Sequence, residues 1–255
     1  MNHALFLKQI CSNNTILSID GILYNKSCVL RAFTGISEAM SGGGILMNEN
    51  IVKRNDLLAK TVIKGLESRN MSGYYAKTKE EALKLALELI PEGSKVTKGG
   101  SMSVKEIGLE DAMKNGNYDY CDRDAATDKR AAELFAYDAD VFLGSANAIT
   151  NDGILVNIDG NSNRVSAFAY GPRKLVLIVG MNKVAGDVDA AMKRARNEAA
   201  TMNAQRFGLD TPCSKTGTCM NCKSMDTICC NFLITRFERH KDRVHVILVN
   251  DVLGF

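Results

Sequence analysis

From Met47 to Phe255 the apolar positions follow two alternating periods. "NENIVKRNDLLAKTVIKGLESRN" sets Ile51, Leu58, Val62 and Leu66 near one helix face. The run "GYYAK" then predicts a strand. Thr78 stands three residues before Glu81, a capping-box signature for the helix "KEEALKLALELI", which Pro91 and Gly93 end. "SKVTKGGS" predicts a strand entering a glycine turn. Ser103 with Glu106 predicts a second capping box, opening one helix through "VKEIGLEDAMKNG". "YDYCDR" reads as another strand and "TDKRAAELFAYD" as another helix.

The middle of the chain changes character. "ADVFLGSANAIT", "GILVNI", "RVSAFAYG" and "RKLVLIVG" are strand-like runs separated by Asn-Asp-Gly, Asp-Gly-Asn and Gly-Pro turns. An amphipathic helix from about Asp187 to Arg206 follows, with Val188, Ala191, Met192, Ala195 and Ala199 on its inner face. After a cysteine-rich loop, "NFLITRFER" and "RVHVILVN" predict either a terminal hairpin or two sheet strands. Early alternation of strand and helix implies an α/β fold with a largely parallel sheet covered by helices, and antiparallel strands added later.

Residues 1–46 read differently: few charges, no sustained helical period, and a run into "SGGG" just before Met47. Three consecutive Gly codons can encode a ribosome-binding sequence, which would lie a short way upstream of the Met47 codon. The expectation is that Met47 is the true start and residues 1–46 a translated leader; the alternative is a genuine N-terminal strand pair on a Gly linker. The domain proper is then 47–255, including a cysteine loop at 212–230.

Composition narrows the function classes. A chain of 255 residues can bury a sizeable core without covalent staples. The net charge of +3 is small and its cations are interspersed with acids, which argues against a nucleic-acid surface. The longest apolar runs are strand-length, too short for a membrane span. The first residues lack the basic start and cleavage site of a secretory signal, so the expected location is cytoplasmic and its cysteines reduced.

Three motifs could carry chemistry. "KGGSMSVKEIGL" brings Gly99, Gly100 and Ser101 to a strand-to-helix turn, where backbone N–H groups and hydroxyls favour an anion; its bland reading is an ordinary turn. "GSANAITNDGILVNIDGNSNRV" clusters Ser145, Asn147, Thr150 and Asn151 after a buried strand, then adds Asp159, Asn161, Asn163 and Arg164. Arg164 could meet an anion in two-point fashion, although the Asn and Asp residues also suit plain turns. No pair of carboxylates stands out and no His lies nearby, so a hydrolytic triad is not indicated. "PCSKTGTCMNCKSMDTICCN" holds five of the eight cysteines. Thiolates from Cys213, Cys219, Cys222 and Cys229 could saturate a zinc ion or an iron–sulfur cluster, with Cys219-x-x-Cys222 the most ligand-like pair. The spacing matches neither a doubled C-x2-C zinc pattern nor a ferredoxin run, so reduced thiols or a redox disulfide remain alternatives. Cys229 and Cys230 point opposite ways in a strand, so one of them enters the core with Phe232.

Taken in order, "GGSMSVKEIGL", "DVFLGSANAITNDGILVNIDGNSNRVSAFAYGPRKLVLIVG" and "NAQRFGLDTPCSKTGTCMNCKSMDTICC" resemble the LUD-domain family of lactate-utilisation proteins (LutC/YkgG-like) over Met47–Phe255. The resemblance implies a three-layer α/β/α fold of the NagB/RpiA/CoA-transferase kind, with a ligand pocket at the carboxyl edge of a parallel sheet. Gly99, Gly100 and Ser101 would form one wall; Ser145, Asn147 and Asp152, with Asn161 and Arg164, would form the other. It further implies a small anionic metabolite as ligand, iron–sulfur protein partners, and a role in oxidising L-lactate or a related 2-hydroxy acid. Two alternatives stand beside it: isomerase- or transferase-type chemistry on a phosphorylated or CoA-linked molecule, and a non-catalytic assembly subunit.

Overall fold

The computed structural model describes residues 48–255 and, before them, two short strands, β1 (Leu17–Ile19) and β2 (Ile22–Tyr24), which pair antiparallel. Met1–Asn48 and Glu49–Phe255 form separate compact units. The expectation of a leader ending before Met47 falls outside the described residues.

The larger unit is built on a six-stranded sheet in which every pairing is parallel. Its strands are β3 (Ser72–Ala76), β4 (Lys95–Lys98), β5 (Asp119–Cys121), β6 (Val141–Gly144), β9 (Lys174–Gly180) and β12 (Val244–Val249). Their spatial order is β3-β12-β9-β6-β4-β5, with Leu143 of β6 opposite both Lys98 and Val176. The central strand β9 explains the layering. Leu175, Leu177 and Val179 enter one core, while Val176 and Ile178 enter the other. Side chains alternate across a strand, so a continuous apolar run demands cover on both faces. α1 (Glu49–Ser68), α5 (Lys129–Asp138) and α6 (Asn163–Ala169) supply one face through Val62, Leu66, Ala136 and Phe168. α2 (Lys79–Leu89), α3 (Met102–Glu106) and α4 (Leu109–Asn115) supply the other through Ala82, Ala86, Val104 and Met113. The result is a three-layer α/β/α fold. No helix among the described residues is long and apolar enough to cross a membrane.

A second, four-stranded sheet has the order β10-β7-β8-β11: β7 (Ala148–Thr150), β8 (Leu155–Asp159), β10 (Val184–Ala185) and β11 (Asn231–Thr235). Only its β10–β7 pairing is parallel. The "terminal hairpin" therefore resolves into two strands in different sheets, β11 here and β12 in the large one.

Several local expectations change. Thr78 caps α2, accepting from Glu81 N, as the sequence indicates. At α3 the cap is Ser101, accepting from Val104 N, so Ser103 lies inside the helix and its hydroxyl is free for other work. Gly108, at φ +77°, breaks the expected single helix into α3 and α4. On α1, Ile51 is 47% exposed and Ala59 takes the inner face. "ADVFLGSANAIT" is two strands, β6 and β7, divided at Ser145–Asn147. "RVSAFAYG" is not a strand but α6: Asp159 accepts from Ser162 N and Val165 N, starting a helix that buries Val165 and Phe168 together. The helix from Asp187 runs as α7 (Val188–Arg194), a π-helical segment Ala195–Ala199 and α8 (Ala200–Arg206).

Candidate functional site

The adjacent strands β4, β6 and β9 all end at one edge of the large sheet, and each chain continuation carries a polar group. Gly99, Gly100 and Ser101 follow β4, Ser145 follows β6, and Lys183 ends the 3-10 turn after β9. This carboxyl edge is where open α/β sheets place ligands. A cavity of about 370 Å³ opens here, its walls including Gly100, Ser101, Ser145, Asn147, Asn161 and Arg164. Six of the eight residues expected to bind a ligand are thus brought together. Gly99 lies behind the wall; a Cβ there would sit 3.2 Å from Arg164 Cδ. Asp152 is elsewhere: it pairs with Arg69 at the end of α1 and accepts from the Thr150 hydroxyl. Those two contacts hold its carboxyl below the ordinary carboxylate value, even though burial pulls the other way.

Arg164 departs from the expected two-point anion clamp. Its Nη1 donates to Ser145 O and Asn157 Oδ1, and its Nη2 donates to Asn147 Oδ1 and Ile158 O. Its Nε stands 3.6 Å from the Asp159 carboxylate. With its fork engaged by the protein, Arg164 braces the cavity wall. Its role there is to fix Asn147, whose Oδ1 also accepts from Ile158 N.

The cations available to a ligand come from positions the sequence reading passed over. Arg206, at the end of α8, lines the cavity, donates through Nη1 to Gly100 O and forms no salt bridge among the described residues. Arg123 lines it too, with Asp124 as its acidic neighbour. Arg206 had a trace in the sequence, being the last cation of a helix that points to the glycine turn. Arg123 had none, since the β5 loop gave no motif.

Lys183 is the other addition, and a strongly perturbed group at the site. It is 2% exposed, and its Nζ donates to Ser103 Oγ and Ser145 Oγ at 3.0 Å each. Ser103 and Ser145 are themselves 3.4 Å apart. Burial, then the nearby Arg194 guanidinium, pushes the Lys183 amine down to about 7, opposed by Glu106. A buried ammonium loses hydration that two hydroxyls cannot replace, so the neutral amine gains weight. Arg194 is held rigidly beside it, donating to Asn182 O and Asn147 O.

The cysteine loop forms part of the same wall, because Thr227 and Ile228 line the cavity. Cys213 lies in α9 (Pro212–Thr216), with the Thr211 hydroxyl 3.2 Å from its sulfur. Arg196 Nη2 donates to Cys219 Sγ at 3.4 Å. Burial, then charge on Cys219, Cys213 and Cys222, pushes the Cys229 thiol up to about 11. These four thiols are close enough to feel one another. They are not a closed cage: among the described residues no group of three or more His, Cys, Asp or Glu is placed to hold a metal ion. Cys229 packs against the core of the small sheet, while Cys230 is exposed. Phe232 does not follow it inward, being 46% exposed on edge strand β11.

A search of curated proteins returned no match. Among solved structures, the chain is similar to the crystal structure of a DUF162 family protein from Deinococcus radiodurans. That likeness has 11% sequence identity and a TM-score of 0.46, over 76% of this chain and 98% of the other. The LUD domain model matches residues 59–249, the whole of the large sheet from β3 to β12. The chain belongs to the LUD domain family.

Proposed function

We propose that the cavity binds a small carboxylate or phosphate anion and that the protein serves the oxidation of L-lactate or a related 2-hydroxy acid, together with iron–sulfur partner proteins. The observation that carries the anion reading is Arg206, a guanidinium facing the cavity with no salt bridge among the described residues. Arg123 adds charge at the same wall, and Asn147, Asn161, Asn163 and Asn203 add amides around it. The acid at the wall, Asp159, already accepts from Ser162 N and Val165 N and faces Arg164. Arg pairs well with planar carboxylates and with phosphates, through parallel charge-assisted bonds. The lactate assignment rests on family membership alone.

Thermal-shift titrations with L-lactate, pyruvate and inorganic phosphate test the anion reading. At least one should raise the melting temperature of the wild type, and Arg206→Ala should weaken that ligand roughly tenfold or more, since a charge-assisted bond contributes about 1.5–3 kcal/mol. Equal binding by Arg206→Ala and wild type would refute the assignment of Arg206.

The same proposal keeps Cys213, Cys219, Cys222 and Cys229 as ligands for a zinc ion or an iron–sulfur cluster. Four thiolates are a suitable donor set for either, and Arg196 beside Cys219 would offset their charge. Binding would have to draw the loop closed and would release protons from the thiols. Protein prepared without oxygen should carry stoichiometric iron or zinc, and Cys222→Ser should lose it while Cys230→Ser keeps it. Metal-free wild-type protein that also fails to take up added Zn²⁺ would end this part of the proposal.

A further inference from the structure

We propose that Ser145 and Lys183 form a nucleophile–base pair for acyl transfer, acting on a carboxylic ester or thioester whose leaving group carries an anion. The proposal uses the same cavity as the anion reading but does not rest on the ligand being a 2-hydroxy acid.

The geometry has the parts of a serine nucleophile with an amine base. Ser145 lines the cavity at the end of β6, and Lys183 Nζ is 3.0 Å from its Oγ. A base must lie within hydrogen-bond reach of the proton it removes, and this one does. Ser103, buried at 1% exposure, is the third member: Lys183 Nζ donates to its Oγ, and that hydroxyl can donate to Leu253 O at 3.3 Å. Ser103 therefore orients the amine, so the lone pair of the neutral form is left for the Ser145 hydroxyl. Asn147, two residues on, has its Oδ1 fixed by Arg164 and Ile158 N, which leaves its Nδ2 to donate to the carbonyl oxygen of an acyl group in the cavity. Arg206 and Arg123 at the wall suit a phosphate-bearing or carboxylate-bearing leaving group.

The chemistry balances without an oxidant. Lys183 takes the Ser145 proton as Oγ bonds to the acyl carbon. The bond from that carbon to sulfur or oxygen breaks, and the proton passes to the departing thiolate or alkoxide. Water then attacks the Ser145 ester, giving a proton to Lys183; the Oγ–carbon bond breaks, and the proton returns to Ser145. The net reaction is hydrolysis of the ester or thioester to acid and thiol or alcohol.

Each element around the amine matters to its protonation: Arg194 on α7 and Arg164 on α6 disfavour the charged form, while Glu106 on α3 favours it. The neutral base is therefore populated near neutral pH.

A fluorophosphonate probe tests the pair on the full chain, because it bonds phosphorus to an activated serine oxygen and expels fluoride. Mass mapping should find the modification on Ser145, with a rate that climbs as pH rises to about 7 and then levels. Ser145→Ala should abolish it. Lys183→Met should slow it about a hundredfold or more, the scale of a lost general base, while still melting cooperatively. If that variant does not melt cooperatively, the wild-type pH profile decides. No modification of Ser145 in the folded wild type overturns the proposal, as does a rate flat across neutral pH or one undiminished in folded Lys183→Met. Thermal shifts of Ser145→Ala with phosphate or lactate report separately on anion binding.

Discussion

Lys183→Met is expected to make the fold more stable at neutral pH, and to lose that advantage as the pH rises. The amine titrates at about 7 in the folded protein, against an ordinary 10.5 when solvated. Below about 7 both folded and unfolded chains hold the proton, and the folded chain bears the full cost of a buried ammonium. Between about 7 and 10.5 only the unfolded chain holds it, so wild-type stability climbs with pH; above 10.5 the cost is gone. At about 1.4 kcal/mol per pH unit, the cost near neutrality is on the order of 4 kcal/mol. Met fills a similar volume without charge. It deprives Ser103 and Ser145 of a donor, which costs about 1 kcal/mol for each hydrogen bond, but leaves the two hydroxyls to each other and to Leu253 O. The net expectation is a gain of ~2 kcal/mol at neutral pH, shrinking toward zero or below by about pH 10. Guanidinium denaturation of both proteins across that range measures it. A stability gap that stays constant, or widens with rising pH, would show that Lys183 is comfortably charged in its site. A site that keeps a destabilising cation in place is the usual signature of a group selected for work other than stability.

The pattern of apolar positions was enough to reveal the layers. "KLVLIVG" reads as a strand, and β9 is one, with Val176 and Ile178 facing away from Leu175 and Leu177. Where two periods fit the same letters, local reading failed. Val165, Ala167 and Ala169 alternate like a strand, yet Val165 and Phe168 also share a helix face, and the Asp159 carboxylate, accepting from Ser162 N and Val165 N, favours the helix. The candidate site divides in the same way. Its glycine turn and its Ser145–Asn147 segment carry compact motifs and were visible. Lys183 was not, because nothing in "VGMNKVAG" marks the lysine. Its character comes from burial beside Ser103 and Ser145, which lie 80 and 38 residues away in the chain. Arg164 shows the reverse error: the motif marked it as a ligand clamp, and only the complete set of acceptors around its fork reveals a brace.

Asp152 carried the same motif-based expectation, and its true neighbourhood predicts a large destabilisation when the turn is disturbed. The Asn151–Asp152–Gly153 turn lies against the last turns of α1 with no side chain between the backbones. A Cβ on Gly153, which sits at φ +84°, would be 2.4 Å from Leu66 N; one on Gly65 would be 2.4 Å from the carbonyl carbon of Asp152. Neither partner is a flexible side chain, so the helix and the turn must separate. That separation would loosen Leu66, a fully buried member of the core on this face of the sheet. Gly153→Ala adds a left-handed backbone strain of about 1 kcal/mol or more to the overpacking, for an expected total of ~3–4 kcal/mol. Gly65→Ala, with helical backbone and overpacking alone, should cost ~2–3 kcal/mol. Once either has opened the contact the other clash is partly relieved, so the double variant should cost less than the sum. Asp152→Ala removes the Arg69 pair, but that carboxylate is 60% exposed, and the loss should stay at about 1 kcal/mol or less. It should also leave any anion-induced thermal shift unchanged, because Asp152 is not part of the cavity wall. Denaturant melts of the four variants decide the matter. Gly153→Ala within about 0.5 kcal/mol of wild type would mean the turn yields easily, and a shift in ligand affinity for Asp152→Ala would return that residue to the site.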